Sequence, residues 1–147
     1  MRIVITGANG QVGAALCVLA KHMGHEPIPL SRNDWDMAMN PAFGESLIQN
    51  IKPDLVISSA AYTNVDEAED NEDTAFLTNA VAPKYLARGC KGLNIPILDM
   101  DLNHMINAFS KSLNWREVYK EQNKLSTKEV IASVKSFVEH LESVNDR

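Results

Sequence analysis

Three glycines, Gly7, Gly10 and Gly13, recur at three-residue intervals in "MRIVITGANGQVGAAL", directly after an apolar run. That spacing suits recognition of a pyrophosphate. At a strand-to-helix junction the first glycine permits a tight turn. The second lets the backbone approach a phosphate, and the third lets helix and strand pack closely. The helix that follows offers unpaired N–H groups and the positive end of its dipole, with Gln11 and Val12 at its start. A tight turn that binds nothing also uses glycine. The pattern gains weight from its position between the first strand and the first helix.

The elements that would hold this loop can be read from the apolar spacing. Arg2 to Thr6 is a short β-branched run and reads as a buried parallel strand. Leu16, Leu19, Ala20 and Met23 share one face of a helix over 11–23, which Gly24 ends. Glu26 to Leu30 reads as a second strand and Asn33 to Met37 as a short third. In "NPAFGESLIQNI" Asn40 suits an N-cap and Pro41 the first helical position, with Phe43, Leu47, Ile48 and Ile51 on the apolar face. Asp54 to Ala61 is the next strand, Thr74 to Lys91 a long helix in which Pro83 makes a kink or restart, and Ile95 to Leu98 the last strand. Strands alternating with helices predict an α/β fold, a Rossmann-type doubly wound parallel sheet with strand order 3-2-1-4-5.

The last third differs. No strand is visible from Leu102 to Val144. Leu102, Met105, Ile106, Phe109 and Leu113 make one helical stripe. Ser126 and Glu129 form a capping box, after which Val130, Ile131, Val134, Phe137, Val138, Leu141 and Val144 repeat at helical spacing. The expected organisation is a nucleotide-binding domain over residues 1–100 and a helical C-terminal segment over 101–147, packed on the same domain. A face for a partner is the alternative use of that stripe.

Composition narrows the function classes. A chain of 147 residues suits one domain with its own core. A net charge of -5 argues against general nucleic-acid binding, and no apolar run approaches the length of a membrane helix. The expectation is a cytoplasmic protein with no signal peptide and no membrane partner. Cys17 and Cys90 show no redox or metal spacing, and His22, His25, His104 and His140 are scattered, so no metal site is expected. The acidic run Asp66 to Asp73 reads as a solvated loop and helix start.

The wording around the glycines is more specific than the glycines. "TGANGQVG" resembles the extended, nucleotide-sugar branch of the short-chain dehydrogenase/reductase superfamily. "SAAYTNVDEAE", "TNAVAPKYLA" and "GLNIPIL" are similar to dTDP-4-dehydrorhamnose reductases, so that the resemblance covers about the first 98 residues. It implies a Rossmann-type domain, NADPH or NADH as cofactor, and reduction of a dTDP-4-keto sugar in dTDP-rhamnose biosynthesis. Carried over by position, Gly7, Gly10, Gln11, Val12 and Gly13 would contact the pyrophosphate. Asp36 and Met37 match an acidic-apolar pair near the adenine. Ala60, Ala61 and Tyr62 match the loop beneath the ribose and nicotinamide. Asn79 matches an asparagine that braces the neighbouring strand. After the second strand stands Leu30-Ser31-Arg32, and arginine there leans towards the 2′-phosphate of NADPH.

Two departures bear on catalysis. Ketone reduction needs a proton donor, which in this superfamily is a tyrosine with a lysine at i+4. Tyr62 is followed at i+4 by Asp66, Tyr85 by Gly89 and Tyr119 by Asn123. No serine or threonine follows the last strand either, where Asp99 and Asp101 stand. No catalytic residue is therefore assigned. The tail, with Leu113-Asn114-Trp115 and Ser126-Thr127, is similar to the closing segment of extended nucleotide-sugar dehydratases and epimerases. The chain then reads as a truncated or internally deleted member of the family. Three readings stay open: a nucleotide-sugar reductase of the dTDP-rhamnose pathway or a shortened member of that family, a non-catalytic dinucleotide-sensing or partner-docking module, and a poorly folding remnant. The expected partners are the cofactor, a dTDP-sugar, and a second copy or a full-length homologue.

Overall fold

The computed structural model describes residues 1–62, 67, 70–100 and 127–145. The described elements are β1 (Arg2–Thr6), α1 (Gln11–His22), β2 (Glu26–Leu30), α2 (Phe43–Ile51), β3 (Leu55–Ser58), α3 (Glu72–Phe76), a π-helical turn (Leu77–Val81), α4 (Ala82–Gly92), β4 (Ile97–Asp99) and α5 (Thr127–Asn145). The chain divides into two compact units, Met1–Asn103 and His104–Arg147. The first holds the sheet.

That sheet is parallel throughout, in the order β2-β1-β3-β4. β1 lies inside it, paired on both edges, and both of its faces are buried. Ile3, Val4 and Ile5 are at most 1% exposed, which is why the strand is an unbroken apolar run rather than an alternating one. Val4 pairs with Ile28 on one side and Val56 on the other. On one face, Val4, Leu30 and Val56 pack with Trp35, Met37, Ile48, Ala82, Leu86 and Cys90. This joins three strands to α2 and α4. Helix α1 buries Leu16 and Ala20 and contacts β1 and β2.

The Rossmann-type parallel sheet agrees with the sequence expectation, and the strands present keep the expected order. The expected third strand does not form. Residues 31–40 run as turns instead. The cause is local: Asp34 accepts from the Ser31 backbone N–H, and Asp36 from those of Ala38 and Met39. Short polar side chains that take up nearby backbone donors compete with a strand ladder. Trp35 and Met37 still reach the core, at 5% and 6% exposure. Their alternation imitates a strand.

Helix boundaries shift for similar reasons. α2 begins at Phe43, whose N–H reaches the Asn40 carbonyl, so Asn40 serves the turn before the helix rather than capping it. The helix expected over 74–91 begins at Glu72 and widens into the π-helical turn before Pro83. Proline has no N–H to donate and its ring crowds the carbonyl four residues earlier. A wider turn relieves both. The last strand begins at Ile97, two residues later than expected, and includes Asp99.

In the second unit, α5 carries the expected stripe in part: Val134 and Val138 are buried, and Phe137 and Leu141 half-buried. Ser126, the side chain of Glu129, the stripe over 102–113, the triplet at 113–115 and Tyr119 lie outside the described residues.

Candidate functional site

A cleft of about 630 Å³ opens at the carboxyl ends of β1, β2 and β3. β2 lies on one side of β1 and β3 on the other, and ligands of open α/β sheets bind at such a reversal. Gly7, Gly10, Arg32, Asp36, Met37, Ala60, Ala61 and Tyr62 all line the cleft. Gln11, Val12 and Gly13 are not among its walls. They form the first turn of α1 beside it, with Gln11 exposed and Gly13 buried.

The glycine loop is built on close approaches. Gly7 has φ +66, and a Cβ there would come within 2.8 Å of the Ala60 Cα. A Cβ on Gly13 would collide with the Gly7 carbonyl oxygen and stand 2.7 Å from the Gly7 carbonyl carbon. Gly10 is the N-cap of α1, and its own N–H donates to the Gly7 carbonyl at 2.9 Å. No side chain caps α1 and no acid stands in its first turn. Among the described residues, the leading N–H groups of this 12-residue helix therefore meet no capping side chain and no acid of the first turn.

The turn after β2 is held by carboxylates. Asp34 Oδ2 accepts from both the N–H and the hydroxyl of Ser31, each at 2.7 Å, and these bonds hold its carboxyl below the usual range. Asp36 Oδ2 accepts from Arg32 Nε at 2.9 Å while Oδ1 takes the N–H groups of Ala38 and Met39. The bond from Arg32 is the leading cause that lowers the Asp36 pKa. Arg32 itself is 80% exposed. The Trp35 indole N–H donates to the Asn40 carbonyl at 2.9 Å, and its ring fills the space beside Gly44, where a Cβ would come within 2.6 Å.

The loop after β3 is tied to β1 and to the π-helical turn. Thr6 Oγ1 accepts from the backbone N–H groups of Ser59 and Ala60, each at 3.2 Å. Ser59 Oγ donates to the Thr6 carbonyl at 2.6 Å. Asn79 holds Tyr62 by both backbone groups: its Oδ1 accepts from Tyr62 N at 2.7 Å and its Nδ2 donates to Tyr62 O at 3.1 Å. The Tyr62 hydroxyl donates to Glu67 at 3.3 Å. Partial burial, then the Glu67 charge, raises the Tyr62 pKa.

Thr6, Ser59 and Trp35 were not singled out by the sequence reading. Thr6 and Ser59 are polar residues that close β1 and follow β3, a weak signal that gains meaning only once the strands are known to be neighbours. In the acidic run, Glu67, Asp70, Glu72 and Asp73 are exposed, and Glu72 and Asp73 stand in the first turn of α3. Among the described residues no group of three His, Cys, Asp or Glu side chains is placed to hold a metal ion. No helix of the described residues is long and apolar enough to cross a membrane.

Comparison with known proteins agrees with this geometry. A family model described as "RmlD substrate binding domain" matches residues 1–125. A dTDP-4-dehydrorhamnose reductase of Mycobacterium tuberculosis is 38% identical over 107 residues, 73% of this chain and 34% of the relative. The spore coat polysaccharide biosynthesis protein SpsK of Bacillus subtilis is 28% identical over 140 residues, 95% of this chain and 47% of the relative. A dTDP-4-dehydrorhamnose reductase structure from Clostridium acetobutylicum superposes with a TM-score of 0.61 at 37% identity, covering 66% of this chain and 34% of that one. The Bacillus anthracis reductase, solved in complex with NADP, gives 0.59 at 31% identity over 65% of this chain and 34% of that one. Fold and cleft thus define a Rossmann-type α/β domain. The chain belongs to the RmlD substrate binding domain family, that of the dTDP-4-dehydrorhamnose reductases. It spans about a third of the length of the reductases it matches.

Proposed function

We propose that this chain binds NADPH or NADH in the cleft above β1–β3, as the cofactor-binding part of a dTDP-4-dehydrorhamnose reductase. The observation that carries this reading is the uncapped start of α1 behind Gly10. A phosphate fits there because Gly10 lacks a Cβ, and because no side chain or acid of the first turn competes for the N–H groups. Gln11, Val12 and Gly13 supply that first turn and Gly7 the turn before it. Arg32, Asp36 and Met37 would meet the adenosine end. Ala60, Ala61 and Tyr62 would lie beneath the ribose and nicotinamide. When bound, the nicotinamide supplies a hydride for reduction of the 4-keto group of a dTDP-sugar.

Residues 1–100 serve in this proposal as the cofactor domain and 101–147 as a C-terminal segment. The free cysteines fit the reducing cytoplasm. No tyrosine of these 147 residues has a lysine at i+4, and a second copy has the same sequence, so in this proposal a full-length homologue is the partner that would bring the proton donor for the sugar. The same feature favours a second reading, a dinucleotide-sensing or partner-docking module that binds without turnover.

Titration of the purified chain with NADPH and with NADH tests the proposal, read by nicotinamide fluorescence and thermal stability. Saturable binding is expected, with about 2.7 kcal/mol of added stability at a hundredfold excess over Kd. Gly10→Asp should abolish it, because a carboxylate would occupy the phosphate position. Unchanged affinity in that variant would refute the loop assignment. Turnover of a dTDP-4-keto sugar only after a full-length homologue is added would favour the reductase over the sensor.

A further inference from the structure

Among the described residues, the cleft walls carry three charged side chains: Arg32, Asp36 and Glu67. One is positive and two are negative, which is an unusual balance for a site that takes a polyanion. The positive one is already engaged. Arg32 Nε donates to Asp36 Oδ2 at 2.9 Å, and the side chains are 80% and 29% exposed. That bond uses Nε and not the two terminal nitrogens of an exposed guanidinium. Asp36 is held from its other oxygen by the N–H groups of Ala38 and Met39, each at 3.1 Å.

Resting on the cofactor reading above, we infer that Asp36 is a specificity-determining residue that weakens discrimination between NADPH and NADH by neutralising Arg32 at the rim of the cleft. Arg32 taken alone predicts a strong preference for the 2′-phosphate of NADPH. A monoester phosphate carries between one and two negative charges near neutral pH. Any such group held by the outer nitrogens of Arg32 would lie across one guanidinium from a fixed carboxylate. Like charges that close repel even where water screens them well. The repulsion touches only the cofactor that carries the phosphate. NADH meets an Arg32 already paired and loses nothing by it. The pair therefore lowers the advantage of NADPH without harming NADH.

Any contact of Asp36 with the adenine would be common to both cofactors and would cancel in the ratio of their affinities. The ratio is therefore the quantity to measure. Kd values for NADPH and NADH would be determined by fluorescence at low ionic strength for the wild-type chain, Asp36→Asn and Arg32→Ala, with 2′,5′-ADP and 5′-AMP as second probes. Asparagine keeps an oxygen for the Ala38 and Met39 N–H groups. Asp36→Ser offers a second uncharged acceptor should Asp36→Asn fold poorly. The expected result is that Asp36→Asn raises the NADPH preference about three- to tenfold, while Arg32→Ala lowers it. The rise should shrink with added salt. An unchanged ratio would overturn the inference. A falling ratio would overturn it in favour of Asp36 positioning Arg32 for the phosphate. If the wild-type chain binds neither cofactor, the cofactor reading itself fails, and this inference with it.

Discussion

The side chain of Asn79 closes on the backbone of Tyr62 from two directions, accepting from its N–H at 2.7 Å and donating to its carbonyl at 3.1 Å. Residues 17 positions apart are thereby locked as a short strand pair would lock them. The clamp stands in the π-helical turn Leu77–Val81, just ahead of Pro83. The widened turn and the cleft loop are thus mechanically linked: the segment that accommodates the proline also carries the group that fixes Tyr62.

Replacing Asn79 tests that link. Asn79→Ala should cost about 1–3 kcal/mol, because two half-buried backbone groups of Tyr62 lose their partners. Asn79→Asp keeps only the acceptor and should fall between wild type and alanine. Thermal unfolding reads the stability. The affinity for NADPH reports whether the Tyr62 loop has moved.

The glycines of the loop should rank by the space around each. Gly13→Ala places a methyl group on the Gly7 carbonyl and should cost more than about 3 kcal/mol or prevent folding. Gly10→Ala meets only the Gly7 oxygen, at 3.3 Å, and should cost about 1 kcal/mol or less. Denaturant unfolding of the two variants would show the order. Equal losses would mean that helix and strand do not approach as closely as described.

Thr6→Val keeps the volume of a buried side chain and removes its oxygen. The N–H groups of Ser59 and Ala60 then lose their acceptor, at a cost of about 1–3 kcal/mol. Hydrogen exchange at Ser59 and Ala60 should accelerate relative to β1, and this can be followed directly.

Cys90 predicts a pH dependence. Burial pushes its thiol up to about 11, from an ordinary value of 9.0. The unfolded chain therefore loses this proton first as pH rises. Stability from this group is complete below about pH 9 and declines as pH rises towards 11, by about 2.7 kcal/mol at most. Cys90→Ala should flatten that alkaline slope, seen by comparing unfolding free energies at pH 8 and pH 10.5. Its lower stability at neutral pH would reflect the lost packing against Leu86 and Ile48.

Local rules carried much of the reading. The glycine loop was legible because each glycine answers a constraint within a few residues, and Gly7 and Gly13 sit where a Cβ cannot. The strands of the sheet were legible because a strand covered on both faces is an apolar run, as Ile3 to Ile5 and Leu55 to Ile57 are. Local rules also misled. Trp35 and Met37 alternate with Asp34 and Asp36 like a strand, but the two carboxylates bind backbone donors and wind the segment into turns.

By itself, then, the sequence determined the parallel α/β class, the tight glycine loop at the end of β1, and the lack of a tyrosine–lysine pair at i+4. These depend on residue type and short spacing alone. Only the tertiary structure decided how the cleft is assembled. The Thr6–Ser59 bond, the Asn79–Tyr62 clamp and the fit of Trp35 against Gly44 join segments that have no local reason to recognise one another. Hydrogen bonds and van der Waals contacts act over a few ångströms of space, whatever the separation along the chain. Packing the helices on the sheet is what brings those partners within that range.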